Sequence, residues 1–271
     1  MSSQASKSSG VMGVFFNVAA IVLAIIASWL IYKNVMGNPV NFEGHNPAGH
    51  PLPGNYLAII YKGGAIVPIL IACILVLLTF SIERAITLAR AKGRGRLNVF
   101  VKNIQNSIAA NQIEESQAAC DKQKGSLANV VQAGLKRYRE LQADATLEND
   151  QKVLSLQKEI EEATALELPM LSKNLVIIST IASISVLIGL IGTVLGMIRA
   201  FAALAQAGAP DALALATGIS EALINTAFGI SGSTVAIILY NYFSTRIDGL
   251  TFKIDEAGFS LVQSFSASLK K

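Results

Sequence analysis

Four stretches of the chain are almost continuously apolar, and the longest stretch between them is polar with helical periodicity. The apolar runs are 11–32 (VMGVFFNVAAIVLAIIASWLIY), 64–82 (GAIVPILIACILVLLTFSI), 175–205 (beginning LVIISTIASISVLIGLIGTVLGM) and 212–243 (ALALATGISEALINTAFGISGSTVAIILYNYF). A helix needs about 20 mostly apolar residues to cross a bilayer, so the pattern predicts four spans. At 1.5 Å per residue the last two reach roughly 45 Å each, beyond the ~30 Å hydrocarbon core. They are therefore tilted or project past the membrane as continuous helices.

Between the second and third runs, two sets of apolar residues recur at three- and four-residue spacing. One is Leu127, Val130, Val131, Gly134, Leu135, Tyr138 and Leu141; the other is Val153, Leu156, Ile160 and Ala163. Each marks one buried helix face. The charges flanking the second set (Lys152, Lys158, Glu159, Glu161, Glu162) read as a solvated face, and Pro169 precedes the third span. No strand pattern and no phosphate-binding glycine loop is present. The fold class predicted is an all-α integral membrane protein. It has four transmembrane helices, two of them long and extending into a helical domain outside the bilayer.

Basic residues near short spans mark the cytoplasmic side. Arg84, Arg90, Lys92, Arg94 and Arg96 follow the second run, with no acid in 84–96. The organisation read from this is a cytoplasmic tail at 1–10, spans at 11–32 and 64–82 joined by an outer loop at 33–63, a cytoplasmic helical domain at 83–172, spans at 175–205 and 212–243, and a cytoplasmic C-terminal helix at 244–271 carrying Arg246, Lys253, Lys270 and Lys271. Both termini are inside. The outer loop is rich in Pro, Gly and Asn and is expected to lack regular structure. Lys7 before an apolar run also suits a signal peptide. No small-x-small cleavage site follows, and Trp29 and Tyr32 close the run as an interfacial belt would, so a retained span is the better reading.

Composition agrees with the membrane reading. Of 271 residues, 52% are hydrophobic and 15% charged, well under the quarter usual for soluble domains; the mean hydropathy is +0.50. The basic cluster at 84–96 lacks interleaved aromatics, so anionic membrane lipid, not nucleic acid, is its expected contact. Cys73 and Cys120 lie in different environments and are expected to be unpaired thiols. His45 and His50, the only histidines, lie in the outer loop. No metal site, no cofactor and no enzymatic activity is expected.

The last two spans carry small and polar residues where lipid favours bulk. Gly189, Gly192 and Gly196 are spaced i, i+3, i+7, with Ser185 on the same line; Gly218, Ala222, Gly229 and Gly232 give a similar surface. Such faces let backbones approach closely. Thr193 is mid-span, and the fourth span holds Thr217, Glu221, Asn225, Thr226, Ser231, Ser233 and Thr234. These groups must face other helices, a hydrated cavity, or their own i−4 carbonyls. Glu221 is the carboxylate well inside a span, and Arg199 is placed to partner it. The pair is either functional or a tie between two helices. No His, Asp or Lys falls near the midplane, where a proton path usually needs one. If ions pass, the titrating group comes from another chain.

The motifs LIGLIGTVLGMIRAF and GISEALINTAFGISGSTVAIILYNYF resemble the ExbB/TolQ branch of the ExbB–TolQ–MotA family over roughly 169–245. The resemblance implies a bacterial inner-membrane subunit, which makes the loop 33–63 periplasmic. It implies a ring-forming homo-oligomer, a pentamer, around an ExbD-like single-span partner with an intramembrane Asp. A TonB-like protein carries the work to the outer membrane. It also implies that Thr193 and Thr226 face a central lumen and that Glu221 matches the family's glutamate of the last span. Typical members of this branch have three spans and an external N-terminus. MotA-like members have four, but the quoted motifs fit them poorly.

Overall fold

The computed structural model describes residues 2–110, 112–205 and 211–269, with side chains from Phe15 onward. Lys270 and Lys271 and most of the expected turn at 205–211 lie outside the described residues, as does the side chain of Lys7. Among the described residues the fold is all-helical, apart from one isolated antiparallel bridge between Phe42 and Pro51. The α-helices are α1 (Ser2–Leu30), α2 (Tyr56–Tyr61), α3 (Val67–Lys92), α4 (Leu97–Ala109), α5 (Ile113–Gln123), α6 (Ser126–Ala143), α7 (Asn149–Ser172), α8 (Leu175–Leu204) and α9 (Ala212–Ser268). Four helical stretches are long and apolar enough to cross a membrane.

The chain divides into two compact units: Met1–Ser81 with Ile177–Tyr240, and Ile82–Val176 with Asn241–Lys271. Two long continuous helices were expected from the third and fourth spans. The fourth is one: α9 runs 57 residues, roughly 85 Å at 1.5 Å per residue. The third is not. Lys173 leaves helical geometry at ψ 139° and Asn174 adopts φ 62°, a left-handed conformation that Asn tolerates and that ends a helix. Pro169 lies inside α7 without ending it. Instead α3 is the second helix to outrun its apolar stretch, ending at Lys92, ten residues beyond Ile82.

In the first unit, α1 continues into a π-helical turn, Ile31–Met36, and the following loop is more ordered than its composition predicts. Short 3₁₀ turns cover Pro39–Asn41 and Glu43–His45, and α2 follows. Polar side chains tie the segment together. Asn41 Nδ2 donates to the carbonyls of Val35 (2.7 Å) and Met36 (3.1 Å), and Asn55 Nδ2 donates to Asn41 Oδ1 (3.0 Å). Lys62 Nζ donates to the carbonyls of Pro47 and Ala48 at 3.0 Å each. Residues that favour turns when solvated thus bridge helix-end carbonyls that otherwise lack partners. Partial burial holds the Lys62 ammonium pKa below the usual lysine range. Tyr32 stacks on Tyr61 with ring centroids 4.6 Å apart and donates its hydroxyl to the Tyr61 carbonyl (3.1 Å). Beneath them Met36, Val67 and Ile71 form a small core flanked by Phe228 of α9.

The second unit buries the face predicted for α6: Leu127, Val130, Val131, Gly134, Leu135, Tyr138 and Leu141. Of the second predicted set, Leu156 and Ile160 are buried, while Val153 and Ala163 are only partly so. The C-terminal part of α9 completes this core with Ile254, Ala257, Leu261 and Phe265. Tyr138 packs on Phe265 with centroids 4.6 Å apart and donates to Ser268 Oγ (3.2 Å). Such an aromatic pair adds about 1 kcal/mol beyond area burial. Arg84 departs from its expected place in an exposed basic cluster. It is 1% exposed, bonded to both Glu83 oxygens and to the carbonyls of Met170 and Leu171. A buried guanidinium needs its charge matched and its donors used; Glu83, one residue before the cluster, supplies the charge.

Both cysteines are free and buried. Burial, aided by the Asp121 carboxylate, pushes the Cys120 thiol up to about 12. The thiolate is the reactive form. Cys120 is therefore expected to resist iodoacetamide at pH 8 in the folded protein and to react after unfolding in guanidinium. Thiol counting before and after denaturation checks this.

Candidate functional site: the α8–α9 seam

The first unit brings the small-residue faces of α8 and α9 into backbone contact. A Cβ added at Gly196 would lie 2.8 Å from Ala222 N and Gly218 O; at Gly218, 2.8 Å from Ala200 N and Gly196 O. At Gly229 it would lie 2.7 Å from the Ser185 carbonyl, and at Gly189 2.9 Å from the Asn225 carbonyl. Gly192 faces the Asn225 side chain, with Asn225 Cβ 2.5 Å from an added Cβ. These separations leave no room for any side chain. Gly232 differs: its nearest neighbour would be Ser185 Oγ at 3.5 Å, ordinary contact. It is buried near the seam, but close approach does not require glycine there.

That proximity aligns the polar residues. The Thr193 and Thr226 hydroxyls hydrogen-bond each other across the seam. Each hydroxyl has one proton, so one donates to the other while the accepting threonine turns its own proton to its i−4 carbonyl; Gly189 O (3.1 Å from Thr193) and Ala222 O (3.1 Å from Thr226) are both in reach. Both the facing arrangement and the i−4 arrangement open to a threonine are therefore realised. Ser233 donates to the Ala182 carbonyl. Thr217 and Thr234 are exposed and bonded to Leu213 O (2.8 Å) and Ile230 O (2.9 Å), which spares those hydroxyls the cost of facing lipid unpaired.

Toward the 205–211 turn lies a second polar pair. Arg199 Nη1 donates to Glu221 Oε1 in an ion pair. The Glu221 side chain is 8% exposed and that of Arg199 55%. Helix rise places Glu221 roughly 7.5 Å along α9 from Thr226. The pair is thus a different layer from the threonines. Against it sits Gly64, at φ +75°, where an added Cβ would collide with the Glu221 carboxylate. Glycine is needed here twice over, for the positive φ and for the space. Next to it, Asn225 Nδ2 donates to the Gly63 carbonyl (2.9 Å). The α2–α3 hinge is thereby fastened onto Glu221 and Asn225. The sequence puts Glu221 and Asn225 one helical turn apart in the fourth span but does not disclose this partner. The one signal was the pair Gly63-Gly64 between two apolar stretches.

Losing the Glu221 carboxylate leaves Arg199 without its acceptor. A hydrogen bond to a charged group is worth about 2 kcal/mol. Glu221→Ala is expected to lower stability in detergent by about that much and to impair function, while Glu221→Gln keeps most of the stability. Thermal unfolding of the three proteins checks the order. No cluster of His, Cys, Asp or Glu able to hold a metal ion is found among the described residues.

Comparison with known proteins places this seam. The sequence pattern defining the MotA/TolQ/ExbB proton channel family matches residues 122–256, which contain Thr193, Arg199, Glu221 and Thr226. The Biopolymer transport protein ExbB of Aquifex aeolicus is 31% identical over 114 residues, covering 42% of this chain and 69% of the relative. The Tol-Pal system protein TolQ of Pseudomonas aeruginosa is 27% identical over 154 residues, covering 57% and 67%. TolQ of Haemophilus influenzae is 39% identical over 84 residues, 31% of this chain and 37% of that protein. With four helices able to span a bilayer and this match across the seam, the chain is a membrane protein that belongs to the MotA/TolQ/ExbB proton channel family.

Proposed function

We propose that the chain is an ExbB-like subunit of an inner-membrane motor that couples ion flow to work on the outer membrane. Five copies would form the ring, with both termini in the cytoplasm. The observation that carries the reading is the Thr193–Thr226 hydroxyl pair, in a mid-span region where the sequence has no His, Asp or Lys. A hydroxyl donates and accepts, so it can order water or receive a proton donor without binding an ion tightly. A carboxylate in hydrocarbon costs at least a few kcal/mol unless it is neutral or meets polar groups. An ExbD-like partner span would bring an Asp to this level, and a ring of threonine pairs would receive it. Each charge crossing the membrane supplies about 2.3 kcal/mol per 100 mV. Turning of the ring about the partner spans moves each Asp between a hydrated position, where it ionises, and a closed one, where it stays protonated. A TonB-like protein transmits the motion.

The second reading, a TolQ-like stator, is favoured by the TolQ similarity, which covers more of the chain than the ExbB one does. A scaffold that only packs helices accounts for the glycines but not for two hydroxyls held together in one layer. Complementation separates the readings. The chain, expressed with an ExbD-like single-span partner, is expected to restore TonB-dependent uptake in a bacterium lacking ExbB and TolQ. Recovery of envelope integrity without uptake favours the TolQ reading, and recovery of neither favours the scaffold.

A further inference from the structure

The second unit holds a cavity of about 910 Å³ between α3 and the α9 segment beginning at Asn241, and the proposed motor makes no use of it. Its walls are largely apolar, with Ala85 and Ala89 on one side and Tyr242 and Gly249 on the other. Two cations, Lys92 and Arg246, line it, and none of its lining residues is acidic. The Arg246 guanidinium lies 5.2 Å from the Tyr242 ring centroid. Among the described residues neither Lys92 nor Arg246 takes part in an ion pair. At Gly249 an added Cβ meets nothing within 4 Å, so the helix face opens directly into the cavity.

Position along the chain narrows the occupant. Ala85 and Arg246 each stand three residues past the apolar runs that end at Ile82 and Phe243, a rise of roughly 5 Å. That is headgroup depth, since headgroups add about 5–7 Å to each side of the hydrocarbon core. Lys92 stands farther from the hydrocarbon, ten residues past Ile82, and lines the same cavity with a stem long enough to bring its ammonium toward a phosphate. Apolar walls joined to unpaired cations at that depth match a molecule with an anionic phosphate on an acyl chain. They fit a small hydrated anion poorly, because most of the lining offers it no hydrogen bond.

We infer that this groove is a binding site for an anionic phospholipid, with the phosphate toward Arg246 and Lys92 and the start of an acyl chain along Ala85, Tyr242 and Phe243, the lining residues nearest the apolar runs. The test uses the full chain in bilayers of phosphatidylcholine containing phosphatidylglycerol. Lipids retained on the protein are counted by native mass spectrometry. The wild-type chain is expected to retain phosphatidylglycerol over phosphatidylcholine by about tenfold. Gly249→Leu adds bulk to the groove at a position where a new Cβ has open space, and Lys92→Gln with Arg246→Gln removes the cations. Both are expected to abolish the preference with the helical circular dichroism unchanged. Equal retention by all three proteins overturns the site. So does glycerol phosphate competing as well as the lipid, which assigns the cations to a free phosphate. A Gly249→Leu protein that keeps the lipid but loses its oligomeric mass also overturns it, and assigns the groove to a second copy of this chain.

Discussion

The double variant Thr193→Val, Thr226→Val is expected to fold and assemble normally and to lose ion-driven work altogether. Valine keeps the shape of threonine, so the seam stays filled. The lost bonds leave little stranded, because Gly189 O and Ala222 O, the carbonyls in reach of these hydroxyls, also lie on helix ladders. Interhelical hydrogen bonds in membranes average about 0.6 kcal/mol, so stability falls by roughly 1 kcal/mol at most. Function falls much further, because an approaching carboxylate then meets methyl groups in place of hydroxyls. Complementation of uptake, read beside the oligomer mass and the thermal midpoint, checks both halves. Normal uptake by the double variant removes the threonines from the ion route. A failure to assemble makes them structural.

Valine at Gly196 or Gly218 is expected to produce the largest loss of stability. At both positions the atoms 2.8 Å from a new Cβ are backbone atoms of the facing helix. Neither can swing aside as a side chain does, so α8 and α9 must separate along their length. Overpacking of this kind costs roughly 3 kcal/mol, and separation also breaks the threonine contact and the Arg199–Glu221 pair. Gly232→Ala is the internal control. Its nearest neighbour stands at 3.5 Å, and alanine gains up to about 1 kcal/mol of helix propensity, so that variant is expected to be at least as stable as the parent. Thermal unfolding in detergent ranks the three. A Gly196→Val protein as stable as Gly232→Ala contradicts the close seam.

The apolar runs made the membrane helices legible, because twenty residues without charge leave few alternatives. The same spacing rule that found Gly189, Gly192, Gly196 and Gly229 also proposed Gly232, since periodicity identifies a face but not the distance to what covers it. Arg199 and Glu221 were pairable because each lies near the same end of its span. The contact of Gly63-Gly64 with Glu221 and Asn225 was not legible, for it joins positions about 160 residues apart through a hinge with no motif of its own. Arg84 was misplaced for a related reason. Counting charge along the chain cannot tell that Glu83 and two carbonyls from α7 enclose it. The order of the loop at 33–63 was hidden as well, because Asn and Pro signal turns in solvated and in tied segments alike.

The most direct test of the motor reading is proton flux into sealed vesicles under an imposed membrane potential. The measurement is made with the purified chain alone and again with an ExbD-like single-span protein that carries an intramembrane Asp. The account predicts no flux above empty vesicles for the chain alone, and flux with the partner that disappears when its Asp is changed to Asn. Sustained proton current through the chain by itself contradicts it.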